Sequence, residues 1–355
     1  MKSSVGFSLF IVAVLLLAIF IGFQSKLVSP DLPYDDIQKG LNQKIIIKFS
    51  HVVAENTPKG LAVEYFASKV HQKTNGKVEV QVYPNATLYT DINEMQALQQ
   101  GEIQMIAPAF SNISTILPSW LALDLPFAFP NQLAVDESLQ GEVGRMLFDS
   151  LEEKEMKGLA FWNNGFKHVT SNQRRLLVPD DFSGQRFRII QSEVLEDQFN
   201  SFHAEAVSIP FNEVYRSIEK GIVDGQENTI SNIFSKRLYR VQKYMTISNH
   251  GYLGYAVIMN KDFWNQLSPD IQSVLLEAIQ ETTEWNNNLA IKMNDIQLNQ
   301  LRNMAVMKID ELTDEQRYQW IVATDSLYDK YANKIGPELV AKIKEIRMKY
   351  TFPKY

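Results

Sequence analysis

Apolar positions between residues 45 and 107 recur at intervals of two or near 3.6, the periods of strands and of helices. Thr57 before Pro58 is typical of a helix start, and Asn75 before Gly76 of a helix end. The order of segments is therefore strand 45–49, helix 58–75, strand 77–83, helix 91–101 and strand 103–107. Such a β-α-β-α-β order predicts a parallel sheet with crossover helices.

A second series of the same kind follows. Its predicted elements are strands 159–162 and 186–190, helix 193–202, strand 206–209, helix 212–220 and strand 252–259. Within it, 222–230 reads IVDGQENTI, and its acids, amides and glycine predict a polar loop before a helix at 229–236. Two such series predict two α/β domains, with the chain crossing between them more than once.

The final hundred residues are predicted to be helical. Ser268-Pro269-Asp270 is a strong start signal, and no helix-breaking residue follows before Asn303. At about 1.5 Å per residue this helix reaches roughly 50 Å, which is long enough to span two domains. A capping box at 313–316 starts the next helix, which is predicted to end at Gly336 and Pro337.

The N-terminal sequence predicts export from the cytoplasm. Lys2 precedes a mainly apolar run, 5–23, which indicates a signal peptide within residues 1–25. The length of the run also allows the alternative of a retained membrane anchor. Residues 26–43 are polar and contain proline, which predicts a linker. Under both alternatives the rest of the chain lies outside the cytoplasm.

Composition narrows the classes of function. The chain has 355 residues, of which 45% are hydrophobic, and this suits two domains of ordinary size. Its formal net charge of −6 argues against binding to nucleic acid. The absence of cysteine excludes thiol nucleophiles, disulfides and thiolate metal sites.

Sequence motifs of catalysis and cofactor binding are absent. The chain contains no P-loop, no GxGxxG and no GxSxG, and no two of its five histidines lie three to five residues apart. We therefore expect neither a metal nor a cofactor. A hydrolase that uses two carboxylates remains an alternative, because such a pair cannot be recognised without geometry. Two exported α/β domains without catalytic motifs favour a solute-binding protein that closes two lobes on its ligand.

Eight segments support a more specific interpretation. They are HVVAENTPKG (51–60), VYPNATLYTD (82–91), DLPFAF (124–129), NGFKHVTSN (164–172), GQRFRI (184–189), PFNEVYRSIEKGIVDGQEN (210–228), VQKY (241–244) and HGYLGYAVIMNKDFW (250–264). Through their order and spacing, residues 44–348 resemble the solute-binding subunits of tripartite ATP-independent periplasmic (TRAP) transporters. Within that family the chain is most similar to the group that binds C4-dicarboxylates.

The resemblance implies an α/β, two-lobed periplasmic-binding-protein fold, with the long C-terminal helix spanning both lobes. Lobe I is expected to comprise 44–165 and 254–293, and lobe II to comprise 166–253 and 294–348. The implied function is not enzymatic: a periplasmic monomer captures succinate, malate or fumarate and delivers it to the TRAP membrane subunits. A sensor that presents the bound acid to a membrane receptor is the alternative on the same fold.

The resemblance also implies ligand-binding residues. Arg188 matches an arginine that holds a substrate carboxylate, and its guanidinium suits this task because it bonds both oxygens and stays charged. Asn228 matches an asparagine whose amide enters the cleft, although asparagine before a helix is also a common N-cap. The acids Asp224 and Glu227 are expected to order the loop or to pair with cationic groups behind it.

A second ligand carboxylate requires a second cation. The candidates are Lys167, where many relatives have arginine, and Lys59 and His51, which flank the first βα loop. Lys59 has the alternative of a solvated lysine on a helix surface. Phe211 matches an aromatic residue that packs on the ligand's carbon chain, with a core position as its alternative. Ser111 and Asn112, after the third strand, are expected to line the other lobe.

Overall fold

The structure of the protein is a computed structural model, which describes residues 44–351. The predicted signal segment 1–25 and the predicted linker 26–43 lie outside the described residues. Within 44–351, no helix combines the length and the apolar character that crossing a membrane requires.

The first series of strands and helices forms in the predicted order. It consists of strand β1 (Ile45–Ser50), helix α1 (Pro58–Lys73), strand β2 (Val78–Tyr83), helix α2 (Glu94–Gln99) and strand β3 (Met105–Ile106). The strands β1 and β3 pair in parallel, with Phe49 opposite Met105. Thr57 accepts a hydrogen bond from the N–H of Gly60 and so caps α1, as the sequence indicated. Three helices complete this part, namely α3 (Phe110–Ile113), α4 (Gln132–Gln140) and α5 (Glu142–Glu152).

A pair of long antiparallel strands, β4 (Met156–Ser171) and β8 (Tyr244–Asn260), runs through the middle of the sheet. Both exceed the predicted strands 159–162 and 252–259. Between them in the chain lie β5 (Arg186–Ile189), α6 (Glu193–Ser201), β6 (Glu205–Ser208), α7 (Val214–Glu219), β7 (Gly225–Asn228) and α8 (Ile230–Ser235).

The prediction of a polar loop at 222–230 is wrong, because four of its residues form the buried strand β7. This strand pairs in parallel with β5 and antiparallel with residues 168–171 of β4. Gly225 permits the close approach, since an added Cβ would lie 2.3 Å from the carbonyl oxygen of Thr170. The polar side chains of this segment are therefore inside the protein and need partners there.

The strand order of the sheet is β2-β1-β3-β8-β4-β7-β5-β6, with β9 (Lys308–Glu311) paired to β8. We call β2, β1 and β3 the first half of the sheet, and β7, β5 and β6 the second half. β3 pairs with the C-terminal end of β8, whereas β7 pairs with the C-terminal end of β4. Because β4 and β8 are antiparallel, the two halves attach at opposite ends of this central pair.

After β8 come helix α9 (Lys261–Gln266) and the long helix α10 (Pro269–Met304), which confirms the predicted helix from 269. The 36 residues of α10 extend about 54 Å. Thr283 of α10 accepts from the indole N–H of Trp162 in β4 at 3.0 Å. Eleven residues later along the helix, Asn294 accepts from the N–H of Ser231 in α8 at 2.9 Å. The helix thus runs alongside the central strands and reaches the helix that follows β7.

Three helices close the described chain, namely α11 (Asp314–Thr324), α12 (Ser326–Ile335) and α13 (Pro337–Thr351). The capping box formed by Thr313 and Gln316 is present as predicted. The helix predicted to continue from it to Gly336 is divided at Asp325 into α11 and α12. Strand β9 was not predicted, because the final hundred residues were expected to be helical.

The buried side chains form separate core clusters. Trp120 and Phe161 pack in a cluster that also contains Tyr328 of α12 and Leu339 of α13. A second cluster, around Phe182, Phe187, Phe199 and Trp320, lies against the second half of the sheet. Tyr328 and Leu339 thus share a cluster with residues of both expected lobes, among them Trp120 and Val194.

Candidate functional site

A small cavity lies where loops after several parallel strands meet. Residues that follow β1, β2 and β3 form one side of it, and residues of β5 and β7 or beyond β6 form another. The carboxyl ends of parallel strands are the usual place for a ligand site in such sheets. The lining residues are Val52, Val53, Lys59, Asp91, Ala109, Asn112, Arg188, Ile190, Phe211, Asn228, Asn232, Leu253 and Tyr255.

The guanidinium of Arg188 is fully buried in the wall of this cavity. Its Nε donates to the carbonyl oxygen of Ile209 at 2.8 Å, while Nη1 and Nη2 have no partner among residues 44–351. Its Cζ lies 5.9 Å from the ring centroid of Phe211. Burial lowers the pKa of Arg188, an effect that Asp91 and Glu227 oppose. Arginine stays protonated in proteins, so a desolvated cation with two free donor groups remains.

Lys59 is buried, so the alternative of a solvated surface lysine is wrong. Its Nζ donates to the carbonyl oxygen of Ala107 at 2.8 Å and lies 3.8 Å from the ring centroid of Tyr255. Burial lowers the pKa of Lys59 to about 8, although Glu94 and Asp91 act in the opposite direction. Lys59 therefore places a second cation in the wall of the Arg188 cavity.

Glu94 is a buried carboxyl group near Lys59. Neither of its oxygens has a hydrogen-bond partner in the described part of the chain. Burial raises the pKa of Glu94 to about 8, an effect that Lys59 partly offsets. Burial thus disfavours the carboxylate form of Glu94, so this group compensates the positive charge of Lys59 less than an exposed carboxylate would.

The side chain of Asn228 also lines the cavity. Its Oδ1 accepts from the backbone N–H of Thr229 at 3.1 Å and from Nδ2 of Asn232 at 2.8 Å. The N-cap of α8 is Thr229, whose side chain accepts from the N–H of Asn232. The alternative of Asn228 as the N-cap is therefore wrong.

Lys167 is not brought to the wall of the cavity. Its Nζ lies 2.6 Å from Oε1 of Glu227, and both side chains are buried. Oε2 of Glu227 lies 2.8 Å from Nε2 of His250. Burial raises the pKa of Glu227, but Lys167 and His250 together outweigh it and lower the pKa to about 2. The expected pairing of Asp224 is also present, with Arg186 at 3.2 Å.

His51 and Ser111 are buried outside the lining of the cavity. Neither ring nitrogen of His51 has a partner within 44–351, and burial together with Lys59 lowers its pKa to about 3. The imidazole is therefore neutral at neutral pH. The hydroxyl of Ser111 donates to Oδ1 of Asp124 at 2.6 Å, and its neighbour Asn112 lines the cavity in its place.

Several residues of the wall were not predicted from the sequence, above all Asp91, Asn232 and Tyr255. Asp91 was recognised only as a helix start, although it ends one of the eight segments. Its carboxylate accepts from the backbone N–H of Phe211 at 3.2 Å. Asn232 lies four residues after Asn228, a spacing that brings side chains together at the start of a helix. Around the site and elsewhere in 44–351, no group of acidic or histidine side chains could hold a metal ion.

Comparison with known proteins identifies the family. Residues 49–334 match the model of the bacterial extracellular solute-binding proteins, family 7, and the chain belongs to this family. It is 46% identical to the C4-dicarboxylate-binding protein DctB of Bacillus subtilis, over 98% of this chain and 99% of that protein. It is 42% identical to the C4-dicarboxylate-binding periplasmic protein DctP of Rhodobacter capsulatus, over 86% and 91% of the respective chains.

Solved structures show the same fold. A TRAP periplasmic solute-binding protein of Sulfurospirillum deleyianum with bound succinate superposes with a TM-score of 0.83 and 40% identity, over 85% of this chain and 99% of that one. A relative from Pseudomonas aeruginosa with bound L-malate gives a TM-score of 0.78 and 34% identity, over 81% and 100%. The chain therefore has the two-lobed α/β fold of these proteins, and it is a solute-binding protein, not an enzyme.

Proposed function

We propose that the protein captures a C4-dicarboxylate outside the cytoplasm and delivers it to the membrane subunits of a TRAP transporter. The observation that supports this most directly is the pair of unpartnered nitrogens, Nη1 and Nη2, on the buried guanidinium of Arg188. A buried donor without a partner is costly, and two such donors on one planar cation match the two oxygens of a carboxylate.

Lys59 is the cation proposed for the second carboxylate. Burial of a dianion requires charge-assisted bonds that replace its water, so one cation is not sufficient. Of the three candidates from the sequence, Lys167 is bonded to Glu227, and His51 is neutral and outside the cavity lining. Lys59 lines the cavity, and within residues 44–351 its ammonium has one hydrogen-bond acceptor for its three protons.

Closure of two lobes is part of the proposal. We assign 44–165 and 254–293 to lobe I, and 166–253 with the chain from 294 through α11 to lobe II. The boundary near 165 is supported by the register of β4 on β8, which shifts between Asn163 and Gly165. A ligand held by Lys59 of lobe I and Arg188 of lobe II favours the closed state, because only that state offers both contacts.

The location and the partners complete the proposal. Residues 1–25 direct the chain out of the cytoplasm, as a cleaved signal or a retained anchor, and residues 26–43 link this segment to the binding unit. The name of the Rhodobacter capsulatus relative places that protein in the periplasm. The protein acts as a monomer that hands its ligand to the membrane subunits, so its deletion is expected to abolish dicarboxylate uptake.

Calorimetric titration with succinate, malate, fumarate and a monocarboxylate tests the proposal. Arg188→Ala should abolish the heat of binding, while Arg186→Ala should not. Arg186 is a matched control because it lies two residues away on β5, pairs with Asp224 at 3.2 Å and does not line the cavity. Absence of binding to every dicarboxylate, in a protein that melts cooperatively, would overturn the proposed function. Equal binding of the monocarboxylate would remove the role of Lys59.

A further inference from the structure

A cavity of about 280 Å³ lies beside the long helix α10 and shares no lining residue with the Arg188 cavity. Its lining comes mainly from residues within 163–168 of β4, 247–252 of β8 and 290–298 of α10. These stretches contain or adjoin the three places at which the chain passes between the proposed lobes. We call it the crossing cavity. Its volume is near the lower end of the range that small-molecule sites have.

The crossing cavity is lined by a buried imidazole that lacks a hydrogen bond. His168 is 6% exposed, and its Nδ1 has no partner within residues 44–351. Burial lowers the pKa of His168 to about 3, and His250 and Arg317 act in the same direction, so the ring is neutral at neutral pH. A buried nitrogen without a partner is costly. Because a neutral imidazole has one donor and one acceptor nitrogen, a hydroxyl group can bond it in either tautomer.

The rest of the lining favours an uncharged ligand. Phe166, Ile230, Ile247 and Leu298 supply apolar walls, and no lysine or arginine of the described chain takes part in them. Asp295, an acid in the lining, is exposed to solvent. An ion that entered this cavity would therefore lose water without gaining a buried countercharge.

We infer that the crossing cavity is a second ligand site, for a small uncharged molecule with an apolar body and a hydroxyl group that bonds His168. Its chemistry differs from that of the Arg188 cavity, whose buried cations suit carboxylates. The site itself is independent of the proposed function. Only its coupling to dicarboxylate capture rests on that function.

Asn164 connects the two cavities. It lines the crossing cavity, and its Nδ2 donates to the hydroxyl of Tyr255 at 2.9 Å and to Oγ1 of Thr229 at 3.1 Å. Tyr255 lines the Arg188 cavity, and Thr229 caps α8 directly after Asn228, which lines it as well. A ligand that holds Asn164 in place therefore also holds two residues at the Arg188 cavity.

The sign of the coupling follows from the state that the structure shows. In this state the crossing cavity is present while Asp91 and Phe211 are bonded across the Arg188 cavity. A molecule that fills the crossing cavity stabilises this state, and a dicarboxylate held from both sides stabilises the same state. Because such coupling is reciprocal, each ligand should bind more tightly in the presence of the other.

Methyl NMR spectra of isoleucine-labelled protein test the site, with phenol and benzoate as probes. Ile230, Ile247 and Ile291 line the crossing cavity, whereas Ile190 lines the Arg188 cavity. Phenol at about 1–10 mM is expected to shift the signals of the first three isoleucines, a range that suits a ligand of its size. Benzoate, an anion of similar size, should leave them in place. Unshifted signals with phenol, or equal shifts with benzoate, overturn the inference.

His168→Phe separates the hydrogen bond from the apolar walls. It should weaken phenol binding roughly three- to tenfold and leave the binding of toluene, which has no hydroxyl, unchanged. His71→Phe is the matched control, since His71 is exposed on α1 and outside the cavity lining, and it should change neither affinity. Wild-type phenol affinity in folded His168→Phe overturns the role of His168. If that variant does not fold, the wild-type spectra with phenol and benzoate decide the inference.

Calorimetric titration with succinate, in the absence and in the presence of saturating phenol, tests the coupling. The affinity for succinate should rise roughly fivefold with phenol. An unchanged or lower affinity overturns the coupling. Absence of succinate binding in both titrations overturns the proposed function, whereas shifts of the three isoleucine signals by phenol still support the second site.

Discussion

The carboxylate of Asp91 accepts a hydrogen bond from the backbone N–H of Phe211, 120 residues away in the chain, at 3.2 Å. Asp91 follows β2, in the first half of the sheet, and Phe211 follows β6, in the second half. The bond therefore connects the two sides of the cavity without any contribution from a ligand. Because both groups are buried, it favours the state in which the two sides are close.

Two substitutions of Asp91 separate this bond from the charge that accompanies it. Asp91→Ala removes the acceptor, and we expect the dicarboxylate to bind roughly tenfold more weakly because the closed state loses a contact. Asp91→Asn keeps an acceptor for Phe211 but removes a negative charge near Arg188, so affinity should equal or exceed that of the wild type. Calorimetry on the two variants gives the comparison, and equal losses in both would contradict the proposed role of the bond.

The affinity for a dicarboxylate should fall as the pH rises through about 8. Lys59, with a pKa of about 8, loses its charge in this range, and Glu94, with a pKa of about 8, becomes an anion beside it. Both changes weaken the attraction for an anion, so the affinity should be greatest below pH 7 and decrease above pH 8 by up to about tenfold per pH unit for each of the two groups. Dissociation constants measured from pH 6 to pH 9 check this, using wild-type protein and Lys59→Met.

Lys59→Met should bind more weakly at every pH and should lose most of the pH dependence. Glu94→Gln provides the complementary control, because it should keep the part of the dependence that belongs to Lys59. A dissociation constant that stays flat between pH 6 and pH 9 in the wild type would show that neither group influences the ligand.

Glu227→Gln is expected to lower the free energy of unfolding by about 3–5 kcal/mol, because it leaves the ammonium of Lys167 buried without a countercharge. Chemical denaturation measures this directly. Glu281→Gln is a suitable control, since Glu281 pairs with Lys69 and Lys73 at the surface and its loss should change stability little. A similar small effect at Glu227 would mean that the buried ion pair is relaxed by solvent.

The lowered pKa of the Glu227 carboxylate predicts that the protein loses stability in acid. The folded pKa of Glu227, about 2, lies below its ordinary value of 4.5, so the folded state binds the proton less readily than the unfolded state. The stabilisation is therefore complete above pH 4.5 and is lost as the pH falls toward 2. Between pH 2 and pH 6, the free energy of unfolding should depend less steeply on pH for Glu227→Gln than for the wild type.

Gly225→Ala should destabilise the protein by about 2–3 kcal/mol or more through overpacking of β7. The new Cβ would lie 2.3 Å from the backbone oxygen of Thr170 and 2.5 Å from the ring of Phe187. Gly184→Ala is the contrasting variant: it has open space but a φ of +74°, so its cost should be limited to about 1 kcal/mol of backbone strain. Equal denaturation midpoints for the two variants would contradict this account.

The elements that the sequence predicted well are those whose signals are local. Thr57 before Pro58 and Ser268 before Pro269 are N-caps that act within one turn, and the helices they start are where they were expected. The central strands were underestimated because Asn163, Asn164 and Gly165 interrupt the apolar pattern of β4. Hydrogen-bonding groups of Asn163 and Asn164 find their partners at the start of α8, in α10 and in β8. These partners are distant in the chain, so the local sequence does not reveal them.

The candidate site likewise contains residues that the sequence predicted and residues whose placement depends on distant contacts. Arg188, Asn228 and Phe211 line the cavity as the resemblance implied, although their roles toward a ligand stay a prediction. Lys167 could not be placed from the sequence, because its partner Glu227 lies 60 residues further along the chain. The segment IVDGQENTI was predicted to be a loop for the same reason: the groups that bond its buried acid Glu227, namely Lys167 and His250, come from distant strands.

The continuous pairing of β4 with β8 prevents the molecule from being divided into two independent modules. The first half is hydrogen-bonded to β8 and the second half to β4, and these two strands pair with each other along most of their length. No single cut in the chain therefore releases one half with its pairing complete. Neither half is an exchangeable unit that recombination could transfer alone. Changes of ligand preference during evolution therefore have to arise by substitution within the shared framework.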